Sequence, residues 1–323
     1  MGRRRKVLIT GANGFVARHL IDALRVRGDE VVGVDMGPVP TWEVDRYYSC
    51  NLIGVDAIKI ILSIERPDVI MHLAAVSSVA QSWKMPVDSF LNNTNIFLNV
   101  VEAVRALKLS TRILSVGSSE EYGNVPKEEM PISEEHPLSP ASPYAVARVA
   151  QEQLSRLYAD GFGLDVVMTR SFNQIGPGQR PAFVVPSFVD QLTAGKREGK
   201  KTVEVKVGDL SIVRDFLDVR DAVAAYLLLV DKGETGKVYN VCSGIGRTLH
   251  EVLETVAKIV GVGIEISVDP ARIRPADNHV IIGSNEKMNR LGWTLRHTLE
   301  SSIRDMVACV ESDAASLKKG ESR

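Results

Sequence analysis

The segment Val7–Ala17, with the sequence VLITGANGFVA, decides the fold of this 323-residue chain. A short apolar run typical of a buried strand ends at Gly11, and an amphipathic pattern typical of a helix begins at Phe15. Gly11 and Gly14, followed by Ala17, allow a backbone to approach a pyrophosphate at the helix N-terminus. Because the turn both ends a strand and begins a helix, it predicts a dinucleotide site.

The same alternation continues through the first half of the chain. Buried strands are predicted at KVLIT (6–10), EVVGVD (30–35), DVIMHLA (68–74), TRILSVGS (111–118) and LDVVMTR (164–170). Helices are predicted over Phe15–Arg27, Val55–Glu65 and Asp88–Leu107, and from Pro143 onward. Strict alternation of strand and helix predicts an α/β protein with a Rossmann-type, doubly wound parallel sheet.

Beyond residue 170 the pattern is less regular, and glycine and proline concentrate in NQIGPGQRP (173–181). We therefore expect a dinucleotide-binding domain over residues 1–170. A smaller mixed α/β substrate-binding lobe would follow over 171–312, partly interleaved with the first domain. The polar tail at 313–323 is expected to fray.

Composition excludes several classes of protein. The net charge is −1, so the chain lacks the basic surface expected of a nucleic-acid partner or of an acidic membrane surface. The three cysteines are scattered, which favours neither a disulfide framework nor a metal site. The first apolar run is too short for a signal peptide or a membrane span, so we expect a cytoplasmic protein.

Asp35 ends the second predicted strand, roughly 20 residues beyond the glycines, where an acid can bind the adenosine ribose hydroxyls. Its charge would repel a 2′-phosphate, and no basic residue follows before Arg46. The sequence therefore favours NAD(H) over NADP(H).

Four segments together resemble the extended short-chain dehydrogenase/reductase family that acts on nucleotide sugars: TGANGFVA (10–17), HLAA (72–75), SVGSSEEYG (115–123) and SPYAVAR (142–148). The stretch NTNIFLN (93–99) is similar to a further family motif, with Ile96 and Phe97 in place of small residues. The resemblance implies these cofactor contacts: Gly11, Asn13, Gly14, Phe15, Val16, Asp35, Asn51, Leu52, Leu73, Ala74, Ala75, Tyr144 and Arg148.

The resemblance also implies a catalytic set of Ser118, Tyr144 and Arg148. Tyr144 would donate a proton to a carbonyl oxygen that Ser118 also binds, and a nearby positive charge would favour the phenolate left behind. Arg148 stands where the family has a lysine; its charge is permanent, but it is bulkier and cannot release a proton. Glu120 stands where the 4,6-dehydratases of the family have a catalytic glutamate.

Substrate contacts follow from the same resemblance. Asn173 would lie between sugar and diphosphate, Arg214 and Arg274 would bind the diphosphate, and Asp277 would bind the nucleotide ribose. Arginine suits this task because its planar fork matches phosphate oxygens. The remaining implied substrate contacts are Ser77, Ser119 and Glu120.

Within the family, GSSEEYG (117–123), FNQIGPGQ (172–179) and VRDFLDVRDAV (213–223) are similar to the reductases that convert GDP-4-keto-6-deoxy-D-mannose to GDP-D-rhamnose. The alternatives are a GDP-mannose 4,6-dehydratase, which Glu120 favours, a 4-epimerase, and a nucleotide-sugar-binding homologue with impaired catalysis, which Arg148 permits. The resemblance further implies a homodimer formed through the helices near Asn95 and Val149.

Overall fold

The computed structural model describes residues 3–272 and 278–320. Its strands are β1 (Lys6–Thr10), β2 (Glu30–Asp35), β3 (Arg46–Ser49), β4 (Val69–His72), β5 (Arg112–Ser118), β6 (Val166–Ser171), β7 (Asn173–Ile175), β8 (Thr202–Val207), β9 (Val213–Asp218), β10 (Val238–Val241), β11 (Gly246–Thr248), β12 (Gly263–Val268) and β13 (Val280–Ile281). Its helices are α1 (Phe15–Arg27), α2 (Val55–Glu65), α3 (Val79–Lys84), α4 (Pro86–Phe90), α5 (Ile96–Ala106), α6 (Pro143–Phe162), α7 (Val184–Arg197), α8 (Val219–Lys232), α9 (Leu249–Val260), α10 (Glu286–Arg290) and α11 (Leu299–Gly320).

Seven of these strands form one sheet in the order β10-β6-β5-β4-β1-β2-β3. Every pairing in it is parallel. The order reverses beside β1, so the strand ends at that point open a crevice, as in other doubly wound sheets. The predicted fold class is therefore confirmed.

Helices cover both faces of this sheet and bury two apolar cores. Leu20, Leu24 and Tyr226 pack on one face, and Ile58, Phe97 and Val100 on the other. Strands that are covered on both sides have continuous apolar sequences rather than alternating ones. For this reason the strands in the first half of the chain could be predicted from the sequence.

A second lobe follows β6 and has its own core, formed mainly by α7, α9 and α11. It contains the strands β7, β9, β11 and β13 and the parallel pair β8–β12. The chain returns to the first unit in between, because α8 packs on α1 and β10 pairs with β6. The chain therefore passes between the two units more than once.

Helix starts follow the local chemistry of the sequence. The Ser142 hydroxyl caps α6 by accepting from the Ala145 N–H at 3.1 Å, with Pro143 as the first helical residue. Thr248 and Glu251 form the predicted capping box of α9.

Two helical segments differ from expectation. The predicted helix at 88–107 is divided into α4, a π-helical turn (Leu91–Asn95) and α5. α11 continues to Gly320, so the segment from 313 that we expected to fray is helical up to that residue. Its alanine, leucine and lysine are strong helix formers, and no glycine or proline interrupts them before Gly320. Within the described ranges, no helix is both long and apolar enough to cross a bilayer.

Candidate active site

A cleft of about 220 Å³ lies at the ends of β1, β2 and β4, where the strand order reverses. The predicted cofactor residues that line it are Gly11, Gly14, Asp35, Asn51, Leu52, Leu73, Ala74 and Ala75. The other five predicted contacts, Asn13, Phe15, Val16, Tyr144 and Arg148, are not part of its lining.

The glycine turn is a backbone cradle. Gly11 has a φ of +74°, and a Cβ there would lie 2.8 Å from the Ala74 nitrogen. A Cβ on Gly14 would lie 3.0 Å from the Gly11 carbonyl oxygen. α1 begins directly after Gly14, and no side chain caps its first turn. A bare helix N-terminus behind a glycine turn fits the pyrophosphate of a dinucleotide.

Asp35 is held at the end of β2 by two backbone donors. The Asn13 N–H donates to its Oδ2 at 3.0 Å, and the Gly37 N–H donates to its Oδ1 at 3.2 Å. In the described part of the chain, Asp35 forms no ion pair with a lysine or an arginine. Its negative charge therefore faces the cleft uncompensated by a side-chain cation.

The side chain of Asn13 binds the loop after β2. Its amide nitrogen donates to the Tyr47 hydroxyl at 3.0 Å and to the Val39 carbonyl at 3.1 Å. Its oxygen accepts from the Thr41 N–H at 2.7 Å. Asn13 thus shapes the rim of the cleft by holding this loop, which we call the Asn13 loop (residues 37–41).

Two asparagines of the NTNIFLN stretch fix other loops of the cleft. Asn93 exchanges two hydrogen bonds with Val76. Asn99 donates to the carbonyls of Leu52 and Ile53, at 2.8 and 2.9 Å. The motif therefore positions the segments that follow β3 and β4.

The two large residues of this stretch have different surroundings. Ile96 lines the cleft. Phe97 is fully buried and packs 5.2 Å from the ring of His72. Ile96 therefore faces the cleft, whereas Phe97 belongs to the core.

Ser118 ends β5 and caps the 3₁₀ turn Ser119–Tyr122. Its Oγ accepts from the Glu120 N–H at 3.3 Å. Because the oxygen already accepts, the hydroxyl hydrogen is left to donate to another oxygen. Ser118 can therefore bind a sugar oxygen as a donor.

Tyr144 and Arg148 lie on α6 and are both buried. The Arg148 guanidinium carbon is 5.1 Å from the ring centroid of Tyr144. The predicted pair thus comes together, one helical turn apart and inside the protein. Nε of Arg148 is buried without an acceptor within the described ranges, which leaves one N–H for a bound group.

Gln151 holds the guanidinium of Arg148. The Arg148 Nη1 donates to Gln151 Oε1 at 2.6 Å and to the Val116 carbonyl at 3.2 Å. Gln151 in turn donates to the Ser115 hydroxyl at 2.9 Å. Sequence reasoning missed Gln151, although its position three residues after Arg148 places both on one helix face.

His72, from the HLAA segment, is neutral. Burial, with a smaller effect from Arg148, lowers the pKa of His72 to about 3. Its Nδ1 is 2.9 Å from the Thr10 hydroxyl, which also accepts from the Ala74 N–H. His72 therefore fixes the floor of the cleft and adds no charge beside Arg148.

A cavity of about 500 Å³ is lined mainly by residues of the second lobe. Asn173 and Arg214 both line it, as predicted for substrate contacts. A smaller adjoining cavity is lined by Glu120, Ser142, Arg214 and Trp83. Arg214 borders both cavities, the larger of about 500 Å³ and the smaller of about 20 Å³.

The remaining predicted substrate residues are less informative. Ser77 is exposed between β4 and α3, and Ser119 is buried in the 3₁₀ turn. Arg274 and Asp277 lie outside the described residues. Their predicted contacts with a diphosphate and a ribose therefore stay predictions.

A family model described as GDP-mannose 4,6 dehydratase matches residues 8–306. The GDP-6-deoxy-D-mannose reductase of Pseudomonas aeruginosa is 35% identical over 308 residues, which cover 95% of this chain and 97% of the relative. The structure of RMD from the same organism, complexed with NADPH, matches with a TM-score of 0.84 at 33% identity, covering 96% of this chain and 99% of that one.

The UDP-glucose 4-epimerase of Thermus thermophilus, in complex with NAD, is similarly close in structure. Its TM-score is 0.85 at 31% identity, and the match covers 95% of this chain and 99% of that one. The family match, the parallel sheet and the glycine turn thus agree with one another. The chain belongs to the GDP-mannose 4,6 dehydratase family, within the extended short-chain dehydrogenases/reductases that act on nucleotide sugars.

Proposed function

We propose that this enzyme reduces the C4 ketone of GDP-4-keto-6-deoxy-D-mannose to GDP-D-rhamnose with a reduced nicotinamide dinucleotide. The observation that carries the proposal is the placement of Arg148, which is buried and directed at the Tyr144 ring rather than turned to solvent. A buried positive charge beside a buried phenol is the arrangement that proton donation to a ketone requires.

The cofactor, when bound, supplies the hydride that reduces the ketone carbon. Tyr144 donates its phenolic proton to the ketone oxygen. Ser118 orients that oxygen through its free hydroxyl hydrogen, since its Oγ already accepts from the Glu120 N–H. Arg148 stabilises the phenolate that remains on Tyr144.

Arginine changes one part of this chemistry relative to lysine. A guanidinium stays protonated in proteins, so Arg148 acts as a fixed charge and passes on no proton. Tyr144 must therefore regain its proton from water or from a bound hydroxyl. The hydrogen bonds to Gln151 and Val116 fix the guanidinium for this purely electrostatic task.

The nucleotide part of the substrate is assigned to the large cavity in the second lobe. Arg214 would bind the diphosphate, and Asn173 would contact the junction of sugar and diphosphate. This assignment is supported by the position of Arg214 on both cavities. The guanosine base is proposed from the relative that acts on a GDP-linked sugar.

NAD(H) is the proposed cofactor in preference to NADP(H). The Asp35 carboxylate at the end of β2 favours ribose hydroxyls and repels a phosphate in their place. Related structures hold NADPH in one case and NAD in another. The preference in this chain is proposed from Asp35 itself.

A 4,6-dehydratase is the second candidate, because Glu120 lines the small cavity together with Arg214. Such an enzyme would begin from GDP-mannose and expel water from C6. Glu120 would then move a proton at C5.

Two incubations separate the candidates. With GDP-4-keto-6-deoxy-D-mannose and NADH, the reductase oxidises the cofactor and yields a product that has gained two hydrogens. With GDP-mannose alone, a dehydratase yields a product that has lost water. Tight NADH binding without turnover in either mixture would favour the non-catalytic homologue.

A homodimer through α4 and α6 is also proposed. Val87 and Phe90 on α4 and Val146 and Leu157 on α6 are exposed apolar side chains. α4 and α6 pack on each other, so their exposed sides form a common surface. Val146 and Leu157 are three helical turns apart and therefore lie on one face of α6.

A further inference from the structure

Glu121 is a fully buried carboxyl group directly behind Ser118. Its Oε1 accepts from the Ser118 N–H at 2.8 Å. A Cβ on Gly117 would lie only 2.5 Å from the same oxygen, so the glycine leaves the space that this carboxyl fills. The group is therefore a fitted part of the turn that presents Ser118.

The second oxygen of Glu121 has a different environment. Its Oε2 is buried and has no hydrogen-bond partner in the described part of the chain. Glu152 lies on α6, which packs against this turn, close enough for its carboxyl group to interact with that of Glu121. Two ionised carboxylates only accept, so this contact becomes a hydrogen bond only when one of them carries a proton.

Hydrogen bonds from two arginines distinguish Glu152 from Glu121. Glu152 receives hydrogen bonds at 2.8 Å from both Nε and Nη2 of Arg170, and at 3.0 Å from Nη2 of Arg156. Although burial opposes it, these arginines lower the pKa of Glu152. Burial, followed by the charge of Glu152, raises the pKa of Glu121.

The charged groups around Glu121 come from two elements packed on its turn. α6 contributes Glu152 and Arg156, and β6 contributes Arg170. The Tyr122 hydroxyl accepts from Arg170 and donates to Asn240, so it offers no proton to Glu121. Arg156 and Arg170 are thus both paired with Glu152. A negative charge on Glu121 would therefore have no cation to compensate it.

We propose that Glu121 is a neutral carboxylic acid that donates its proton to Glu152 and accepts from the Ser118 N–H. It is a positioning residue: the acid joins the turn carrying Ser118 to the helix carrying Tyr144 and Arg148. Glu152 lies one turn beyond Arg148 on that helix. The protonation state rests on the complete burial of Glu121, its unpartnered Oε2 and the arginines bound to Glu152, whereas the role toward Ser118 rests on the proposed reductase function.

Infrared spectroscopy tests the protonation state without any substrate. The wild-type protein near neutral pH is expected to show the C=O stretch of a buried carboxylic acid, and Glu121→Gln is expected to lose that band. Glu65→Gln is the matched control, because Glu65 is also buried but is ion-paired with Lys6 and Arg46. An identical carboxylic-acid region in wild type and Glu121→Gln overturns the proposal.

Kinetics tests the positioning role. Glutamine can donate to Glu152 and accept from Ser118 as the acid does, so Glu121→Gln is expected to retain kcat near neutral pH and to lose the alkaline decline of kcat that ionisation of Glu121 causes. Glu121→Leu keeps neither bond and is expected to lower kcat about tenfold, with KM for NADH unchanged. A glutamine variant as slow as the leucine variant, or a leucine variant as fast as wild type, overturns the role.

The infrared experiment and the kinetic experiment test separate parts of the proposal, and each can fail without the other. If neither the wild type nor any variant turns over the keto sugar, the reductase function fails while the infrared result still decides the state of Glu121. If turnover is normal and the acid band is absent, the protonation proposal alone is overturned.

Discussion

The guanidinium carbon of Arg148 lies 5.1 Å from the ring centroid of Tyr144, and both side chains are buried. A permanent cation therefore faces the phenol that the proposed chemistry uses as its acid. The substitution of arginine for lysine, which taken alone could indicate an inactive homologue, is accompanied here by hydrogen bonds that hold the larger group in place.

Tyr144→Phe is expected to lower kcat by roughly 100- to 10,000-fold, the range typical of a lost general acid. Binding of NADH, followed by its fluorescence, is expected to change less than about threefold, because the glycine turn and the cleft are untouched. Tyr158→Phe, at a tyrosine farther along the same helix, is the control and should keep its turnover. Undiminished reduction by Tyr144→Phe would remove Tyr144 from the mechanism.

Gln151→Ala is expected to lower kcat about tenfold, because Nη1 of Arg148 loses its shortest hydrogen bond and the buried cation loses about 1.5–3 kcal/mol of support. The exposed Gln153→Ala on the same helix is the matched control and should behave as wild type. Steady-state kinetics with NADH measures both. Equal rates for the two variants would mean that Gln151 does not hold the catalytic charge.

Asp35→Asn is expected to raise the ratio of kcat/KM for NADPH over NADH about tenfold, because each 1.4 kcal/mol of removed repulsion is worth a factor of ten. The single amide oxygen can still accept from either the Asn13 or the Gly37 N–H, so one of the two bonds that hold Asp35 is kept and the other is lost. Asp56→Asn, an exposed change in the first turn of α2, controls for the lost charge. A wild-type enzyme that already prefers NADPH contradicts the cofactor proposal.

The pH dependence of stability follows from Glu121. Burial, together with the charge of Glu152, raises the pKa of Glu121 from 4.5 to about 8 in the folded protein. Between these values the folded state holds a proton that the unfolded state has lost, so the free energy of unfolding decreases by up to about 1.4 kcal/mol for each unit of pH rise. The free energy of unfolding of Glu121→Gln, measured with urea, should lack this decrease. The free energy of unfolding of the variant minus that of the wild type should therefore rise from pH 5 to pH 8. A constant difference between the two proteins would contradict the protonated state.

Val146→Asp is expected to convert a dimer into a monomer in sedimentation experiments, because it introduces a charge into the apolar surface of α4 and α6. Val26→Asp is the control: Val26 is 89% exposed near the end of α1, away from that surface. A wild-type protein that sediments as a monomer at micromolar concentration contradicts the proposed dimer.

Sequence alone predicted the parts of this structure that depend on local chemistry. The strand, glycine turn and helix of Val7–Ala17 were readable because both glycine positions and the apolar pattern lie within eleven residues. The starts of α6 and α9 were readable because Ser142 and Thr248 cap the nearest turn. The contact between Tyr144 and Arg148, the proposed catalytic pair, was predictable because one helix carries both.

Contacts between segments that are far apart in the sequence could not be predicted from the sequence. Gln151 supports Arg148 only because β5 brings Ser115 and Val116 beneath α6. Glu121 lies in a polar stretch, SSEEYG, that gives no sign of complete burial. β3 was missed because its four residues, RYYS, form an edge strand without an apolar run.

The Asn13 loop has a consequence for protein engineering. Residue 13 belongs to the glycine turn, yet its amide group makes two bonds to the segment after β2 and a third to Tyr47 on β3. A segment transplanted there from an enzyme of opposite cofactor choice would meet an amide with no matching partners. Redesign of this pocket therefore has to vary the turn and the transplanted segment as one unit, and a library that samples only one of them would miss the productive combinations.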